Sequence, residues 1–264
     1  MPAHRDRERL RETFGSVAEL YDRARPTYPA AIFDDLAELA SLAPGSRVLE
    51  IGPGTGKATT ELVRRGYAVT GIELSPDLAA FARRNVPQAE IEVADFETWE
   101  PREAGFDAVL AFAAFHWIAP ELREAKPARL LKPGGALAVV HGPHVSPEHG
   151  DTFFAEVQED YDAVVPHPDN RPPPRPWEVE GWADEFRDSG LFAAVEERTH
   201  LHPLTYTADE YVAVLGTFSE NVALPAAQRE ELFRRIHVRI SARPGATVTK
   251  HHLLVLTVGR LPAA

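Results

Sequence analysis

One stretch constrains this chain more than any other: Val48-Leu49-Glu50-Ile51-Gly52-Pro53-Gly54-Thr55-Gly56-Lys57. A short buried strand runs without a spacer into three closely set glycines, and a helix-forming segment follows at once. Glycines in this pattern allow the left-handed backbone conformations that other residues avoid, and they let the main chain approach a ligand too closely for side chains. In open sheets of alternating strands and helices, ligands bind at the carboxyl edge, where such a turn sits. Two phosphate-binding templates fail at defined residues. The dinucleotide spacing G-x-G-x-x-G requires glycine where Lys57 stands, and the phosphate loop G-x-x-x-x-G-K-[ST] requires glycine at Ile51 and a hydroxyl residue at Ala58. What remains is E-x-G-x-G-x-G.

The surrounding periodicity supports an α/β fold. Leu10, Phe14, Val17, Leu20 and Tyr21 share a helical face, and Ile32, Phe33, Leu36 and Leu39 repeat it after Arg25-Pro26-Thr27-Tyr28-Pro29. The spacing then predicts a helix over Lys57 to Arg65, a strand over Ala68 to Glu73, a helix over Asp77 to Asn85 and a strand over Ile91 to Ala94. A strand over Phe106 to Phe112, a helix over Pro120 to Leu131 and a strand over Ala136 to Val140 follow. Strands alternating with helices imply a parallel sheet covered on both faces. Beyond residue 140 the pattern loosens, and eight prolines between Pro143 and Pro176 mark a stiff loop, densest at Arg171 to Pro176. Helices are expected around Phe153, Phe154, Val157 and Tyr161, then Val179, Trp182 and Phe186. A strand near Phe192 to Arg198, helices around Tyr211 and Leu232, and a last strand over His251 to Val258 complete the chain.

Composition excludes several classes. The 264 residues carry 28 Lys plus Arg against 40 Asp plus Glu, a net charge of −12, which disfavours a nucleic-acid or anionic-membrane partner. There is no cysteine, so disulfides, thiolate zinc sites, iron–sulfur ligation and a Cys nucleophile are all excluded. The first ten residues lack the apolar core of a leader, and no apolar run approaches the ~18 residues of a membrane span. The expected location is the cytoplasm.

With the glycine segment in place, the chain resembles the class I S-adenosylmethionine-dependent methyltransferases. The resemblance extends to Glu73 in Gly71-Ile72-Glu73-Leu74-Ser75, to Asp95-Phe96, to Phe106-Asp107-Ala108-Val109-Leu110 and to Leu130-Leu131-Lys132-Pro133-Gly134-Gly135. It implies a Rossmann-like, seven-stranded, mostly parallel sheet with helices on both faces and an antiparallel last strand. Residues 1–264 then form one methyltransferase domain: an N-terminal helical cap over 1–41, a cofactor-binding core over 46–142, substrate-side insertions over 143–246 and the last strand over 247–260. It also implies S-adenosylmethionine as cofactor and S-adenosylhomocysteine as product. Gly52, Pro53, Gly54 and Gly56 would approach the cofactor, Glu73 and Leu74 its ribose, and Asp95 and Phe96 its adenine, with Ala111 and Phe112 at the end of the fourth strand. A carboxylate suits the ribose because its two oxygens accept two donors at once. Each acid also suits the capping of a following helix. Glu50 either fixes the glycine loop or approaches the cofactor's amino group.

A narrower resemblance, carried by Tyr21, Arg25-Pro26, Tyr28-Pro29, Ala114-Phe115-His116-Trp117-Ile118, Thr217-Phe218-Ser219 and Leu224-Pro225, is to the small-molecule subgroup that includes trans-aconitate methyltransferases. It implies that Tyr21, Arg25 and Tyr28 fold over the cofactor, although Tyr21 equally continues a core stripe and Arg25 equally suits a surface ion pair. The expected reaction is methylation of an oxygen, hydroxyl or carboxylate, on a small metabolite such as a natural-product intermediate. Nitrogen methylation and a cofactor-binding protein without transfer are the alternatives. Holding two reactants in attack geometry supplies ~7–11 kcal/mol, so a base is optional. His116 is the candidate, by its place after the fourth strand and an ordinary pKa near neutrality; orienting the helix start is its other role. His141, His144 and His149 are close in sequence, but a polar loop describes them better than a metal site, and no metal is expected. Trp177, Trp182, Phe153, Phe154, Phe218 and Tyr211 suit either an acceptor pocket or the core.

Overall fold

The computed structural model describes residues 18–101, 103, 105–166 and 171–263, so the expected helical positions Leu10, Phe14 and Val17 lie outside the described residues. The strands are β1 (Arg47–Ile51), β2 (Ala68–Glu73), β3 (Glu90–Val93), β4 (Phe106–Phe112), β5 (Leu131–His141), β6 (His144–Val145), β7 (Ala194–Thr207) and β8 (Thr247–Arg260). The chain divides into two compact units. A sheet unit comprises Pro26–Gly142, Gly181–His200 and Leu254–Ala264, and an aromatic unit comprises Met1–Arg25, Pro143–Glu180 and Leu201–Leu253.

In the sheet unit the strand order is β3-β2-β1-β4-β5-β8. The first five strands are parallel, and β8 is antiparallel to β5, with Ala138 opposite Val258. β6 and β7 also pair on β8, so among the described residues the mostly parallel sheet expected from the sequence, with its antiparallel last strand, comprises eight strands. The order reverses between β1 and β4, the switch point at which open α/β sheets bind ligands, and the glycine segment leaves β1 there. Both faces are covered. Val48, Val69, Leu110 and Ala138 pack with Ile32, Phe33, Leu36 and Leu62 on one side, while Leu49, Ile72, Val109 and Val139 pack with Phe115, Leu130 and Phe186 on the other. Successive strand residues point to opposite faces, so near-continuous apolar runs are what a two-sided sheet demands.

Several boundaries differ from the sequence reading. The helix expected over Pro120 to Leu131 spans only Ala125–Leu130, preceded by a 3₁₀ turn at Phe115–Trp117. Buried Arg123 and Lys126 account for the difference, because they turn inward to donate to main-chain carbonyls of the connection. Arg123 reaches Ile118 and Lys126 reaches Glu97. The strand expected near Phe192 to Arg198 runs instead over Ala194–Thr207, and the last strand, read from its apolar pattern as His251 to Val258, spans Thr247–Arg260. The segment around Phe153 to Tyr161 is two short helices, Phe153–Glu156 and Gln158–Val164. Val179 lies outside the helix that follows, which spans Ala183–Asp188.

The aromatic unit is built on helices Ala18–Ala24, Ala208–Leu215 and Ala226–Ser241. Its core holds Phe153, Phe154, Tyr206, Tyr211, Leu232, Ile236, Ile240 and Val248. Among the described residues, no helix is long and apolar enough to cross a membrane.

Candidate active site at the carboxyl edge of the sheet

The glycine turn adopts the backbone that its composition requires. Gly52, Gly54 and Gly56 have φ of 65°, 61° and 91°, a region in which L side chains are strained. Gly52 also has no room for a side chain, since a Cβ there would stand 2.8 Å from the Ala114 Cβ. Pro53 packs under β2, close to Gly71. The result is a cradle of half-buried and buried main chain at the switch point, bounded by the ends of β1, β2 and β4.

Two acids flank it. Glu73, at the end of β2, is almost fully buried, and its carboxylate accepts from the Gly54 N–H and the Ser75 N–H, each at 2.9 Å. Glu73 therefore ties the glycine turn to the second strand while presenting an anion to the cradle. Asp95 follows β3 and accepts from the Glu97 N–H at 3.0 Å, closing its own turn, with Phe96 buried beside it. Both acids hold local backbone at the carboxyl ends of their strands. Leu74 lies between Glu73 and Ser75, within the segment their hydrogen bond closes.

Glu50 lies deeper. It is 1% exposed and accepts from the Thr59 hydroxyl at 2.7 Å. Burial pushes its carboxyl up to about 7; the Thr59 hydrogen bond opposes the shift and the charge of Glu73 adds to it. Of its two expected roles, this contact is that of a clamp joining the end of β1 to helix Lys57–Arg64 across the glycines. Thr59 was not singled out in the sequence, although T-x-x-x position one turn into that helix is where a partner for Glu50 would stand. Thr55 is also buried, and its hydroxyl has no hydrogen-bond partner in the cradle wall.

After β4 the chain turns sharply. Ala113 has φ of 55°, an uncommon conformation for alanine, and its N–H donates to the Val140 carbonyl at 2.7 Å. That turn puts Ala114 against Gly52. Nothing in the sequence marks Ala113, because alanine carries no signal for a left-handed backbone. Ala111 is fully buried, and Phe112 stacks on Phe33 at 5.4 Å and meets the Tyr28 ring at 5.0 Å. Tyr28 thus belongs to the sheet unit and packs on the end of β4.

His116 sits in the 3₁₀ turn that follows. Burial, with the charges of Arg123 and His141, pulls its imidazole down to about 4, so it is neutral at physiological pH and a weak base. Its carbonyl accepts from Arg123 at 3.3 Å, and the Arg123 guanidinium lies 5.1 Å from the Trp182 ring centroid. Trp182 meets Phe115 edge-on at 4.9 Å.

The remaining candidates lie in the aromatic unit. Tyr21 is in helix Ala18–Ala24, and Arg25 follows it, donating through Nε to the Thr217 hydroxyl at 2.6 Å and packing its guanidinium over Tyr21 and Phe218. Phe153, Phe154 and Tyr211 are core, whereas Trp177 is 72% exposed. His144 belongs to this unit and His141 to the sheet unit; among the described residues no three His, Cys, Asp or Glu gather as metal ligands.

Residues 48–135 match the family model described as a methyltransferase domain. An uncharacterized methyltransferase of Mycobacterium tuberculosis is 38% identical over 128 residues, covering 48% of this chain and 51% of that protein. A trans-aconitate 2-methyltransferase of Methylobacterium nodulans is 39% identical over 117 residues, 43% of each chain. The chain thus spans about half the length of the curated relatives it matches. Among solved structures, a phosphoethanolamine N-methyltransferase of Haemonchus contortus, in complex with phosphomonomethylethanolamine and S-adenosylhomocysteine, is 17% identical with a TM-score of 0.53, covering 95% of this chain and 57% of that one. The YcgJ protein of Bacillus subtilis is 16% identical with a TM-score of 0.52, covering 89% of this chain and all of that one. These likenesses show the fold. Over residues 48–135, from β1 into β5, the chain is accordingly similar to the methyltransferase domain, and over about half its length to proteins described as methyltransferases.

Proposed function

We propose that the protein transfers the methyl group of S-adenosylmethionine to an oxygen of a small metabolite, a hydroxylated or carboxylated natural-product intermediate, in the cytoplasm. The observation that carries this reading is the glycine cradle at the switch point of the sheet, with the buried Glu73 carboxylate tied to the Gly54 N–H at its edge. Gly52, Pro53, Gly54 and Gly56 would then lie along the cofactor, Glu73 and Leu74 at its ribose, Asp95 and Phe96 at its adenine, and Ala111 and Phe112 at the end of β4. The unpartnered Thr55 hydroxyl and the missing Cβ at Gly52 fit a ligand that uses main-chain and hydroxyl donors. Glu50 would act through Thr59 and the loop. When bound, the cofactor supplies a methyl activated by its sulfonium, suited to in-line displacement.

The chain's own contribution is then alignment and exclusion of water, which needs no strong base. His116, neutral and desolvated, would serve a hydroxyl acceptor only as a weak proton acceptor. Residues 1–41 and 143–246, with Tyr21, Arg25 and Tyr28 among them, would select the acceptor. Two measurements test the reading. Calorimetry should show stoichiometric binding of S-adenosylhomocysteine, and incubation with a methyl-labelled donor and metabolite extracts should place label on a small molecule. No uptake of the demethylated product would overturn the assignment; binding without label on any extract would leave a protein that holds the donor without transfer, and label on nitrogen would correct the acceptor atom.

A further inference from the structure

The aromatic unit contains a cation in a place that ordinarily excludes one. Lys250 on β8 is 4% exposed, yet no carboxylate among the described residues lies within ion-pair distance of it, and the charge that acts on it is another cation, Arg25. Its ammonium lies 4.9 Å from the Phe218 ring centroid, and the Arg25 guanidinium lies 4.3 Å from the same ring. Isolated buried ammonium groups are costly and are retained where they meet a partner.

The β7–β8 ribbon shows what surrounds it. The Ala193 N–H donates to the Arg260 carbonyl, Thr257 donates to Glu197, and Thr205 and Thr249 bond through their hydroxyls at 2.9 Å, so one strand climbs as the other descends. With Thr205 and Thr249 on one face, alternation puts Tyr206, Val248 and Lys250 on the other. All three are buried. Among the described residues the buried Tyr206 hydroxyl has no hydrogen-bond partner, and neither has Nε2 of His144, which pairs through β6 with His252 two residues further along β8. The walls are aromatic: Phe154 lies 4.2 Å from His144 and 6.1 Å from Tyr211, and Tyr211 lies 5.9 Å from Tyr206. A lone buried donor has several explanations. An ammonium, a phenol hydroxyl and an imidazole nitrogen along one buried face, with the Glu210 charge acting on the phenol and Arg25 on the ammonium, have a common one.

We infer that this face of the aromatic unit binds a carboxylate carried on a flat, largely apolar skeleton, with Lys250 and Tyr206 donating to the carboxylate and Phe218, Tyr211 and Phe154 against the skeleton. One compact ammonium and a neutral hydroxyl match a singly charged group rather than a phosphate dianion. That the bound acid is the methyl acceptor rests on the function proposed above; the binding itself does not. Because burial pulls the Lys250 ammonium down to about 7, the anion should also draw a proton onto it, and affinity should weaken as pH rises from 7 to 9.

The test uses cinnamate as probe, with cinnamyl alcohol as its neutral counterpart, on the full chain and on Lys250→Met and Tyr206→Phe. The expected result is that cinnamate binds the wild type at least about tenfold more tightly than the alcohol, and that Lys250→Met loses about tenfold or more of that affinity, as loss of a charged hydrogen bond predicts. Lys250→Met should itself melt several degrees higher, because it removes an unpaired buried charge, so failure to fold does not obscure the outcome. Tyr206→Phe should show a smaller loss. No cinnamate binding to the wild type, equal affinity for acid and alcohol, or unchanged cinnamate affinity in Lys250→Met would each overturn the inference. S-adenosylhomocysteine binding, measured in parallel, reports on the sheet unit: its absence alongside intact cinnamate binding would remove the methyltransferase reading and leave this site standing.

Discussion

The glycine cradle and the Lys250 face both hold polar groups in a dry environment, and they do so by opposite means. In the cradle the groups are mostly main chain, gathered from consecutive residues and fixed by acids that cap them, as Glu73 does for Gly54 and Ser75. Around Lys250 they are side-chain atoms, brought from Arg25, Tyr206, Phe218 and β8 by the packing of a whole unit. A backbone site is specified by shape, so it tolerates no added atoms. A side-chain site is specified by charge and donors, so it tolerates changes of shape better than changes of polarity.

The sharpest way to break this comparison is Gly52→Ala. The left-handed backbone costs alanine ~1–2 kcal/mol, and the new Cβ meets Ala114 at 2.8 Å. Affinity for S-adenosylhomocysteine should fall by about 100-fold, with circular dichroism confirming the fold, and adding Ala114→Gly should recover about tenfold of it. Wild-type affinity in the single variant would mean that the cradle is not the site. Next in size, Glu73→Gln keeps one acceptor but turns an amide N–H toward a backbone N–H, and should cost about tenfold or more in the same titration. If it binds as tightly as the wild type, the anion has no part in recognition.

Glu50→Gln should act on stability. The folded-state carboxyl, at about 7, holds its proton more tightly than the unfolded chain does, so the wild-type protein loses stability as pH rises from about 4.5 through 7. The amide retains an acceptor for Thr59 and carries no charge to desolvate. Its advantage should be ~1–3 kcal/mol at pH 8 and close to nil at pH 4, read from urea denaturation at both values. A constant difference across pH would show that Glu50 is not the titrating group. The smallest effect is expected of His116→Ala: turnover lowered by about tenfold at most, with S-adenosylhomocysteine affinity unchanged. Burial holds the imidazole near 4, so the wild-type rate should show no inflection near pH 6.5 that the substitution abolishes. Such an inflection would make His116 an exposed, titrating base.

The two sites were also unequally legible. β2 and β4 lie where their apolar runs and flanking turns put them, because each run is buried on both faces and stops at a recognisable residue. The glycine cradle is legible for the same reason: its chemistry is contiguous. The Lys250 face is not. The apolar pattern taken alone starts the last strand at His251 and leaves Lys250 outside it, since a charge with no visible partner argues against burial, and a strand ended at Arg198 leaves Tyr206 outside the sheet. Period-two burial of His200, His202, Leu204 and Tyr206 is present in the chain, but it alternates histidine with leucine and threonine, and only pairing with β8 reveals which face is inside. The start of helix Ala125–Leu130 differs from the expected Pro120 for a related reason, that Arg123 donates to the Ile118 carbonyl of the preceding connection. The contacts that fix Ala113 are equally non-local.

Ala113 deserves its place in any effort to make a hardier version of this protein. Its left-handed backbone is the natural conformation of asparagine and glycine, so selection for heat resistance alone should enrich those residues there. Selection that also demands methyl transfer has reason to keep the methyl group of Ala114 pressed on Gly52, and a library sorted under both pressures would separate the part of this bend that serves folding from the part that serves chemistry.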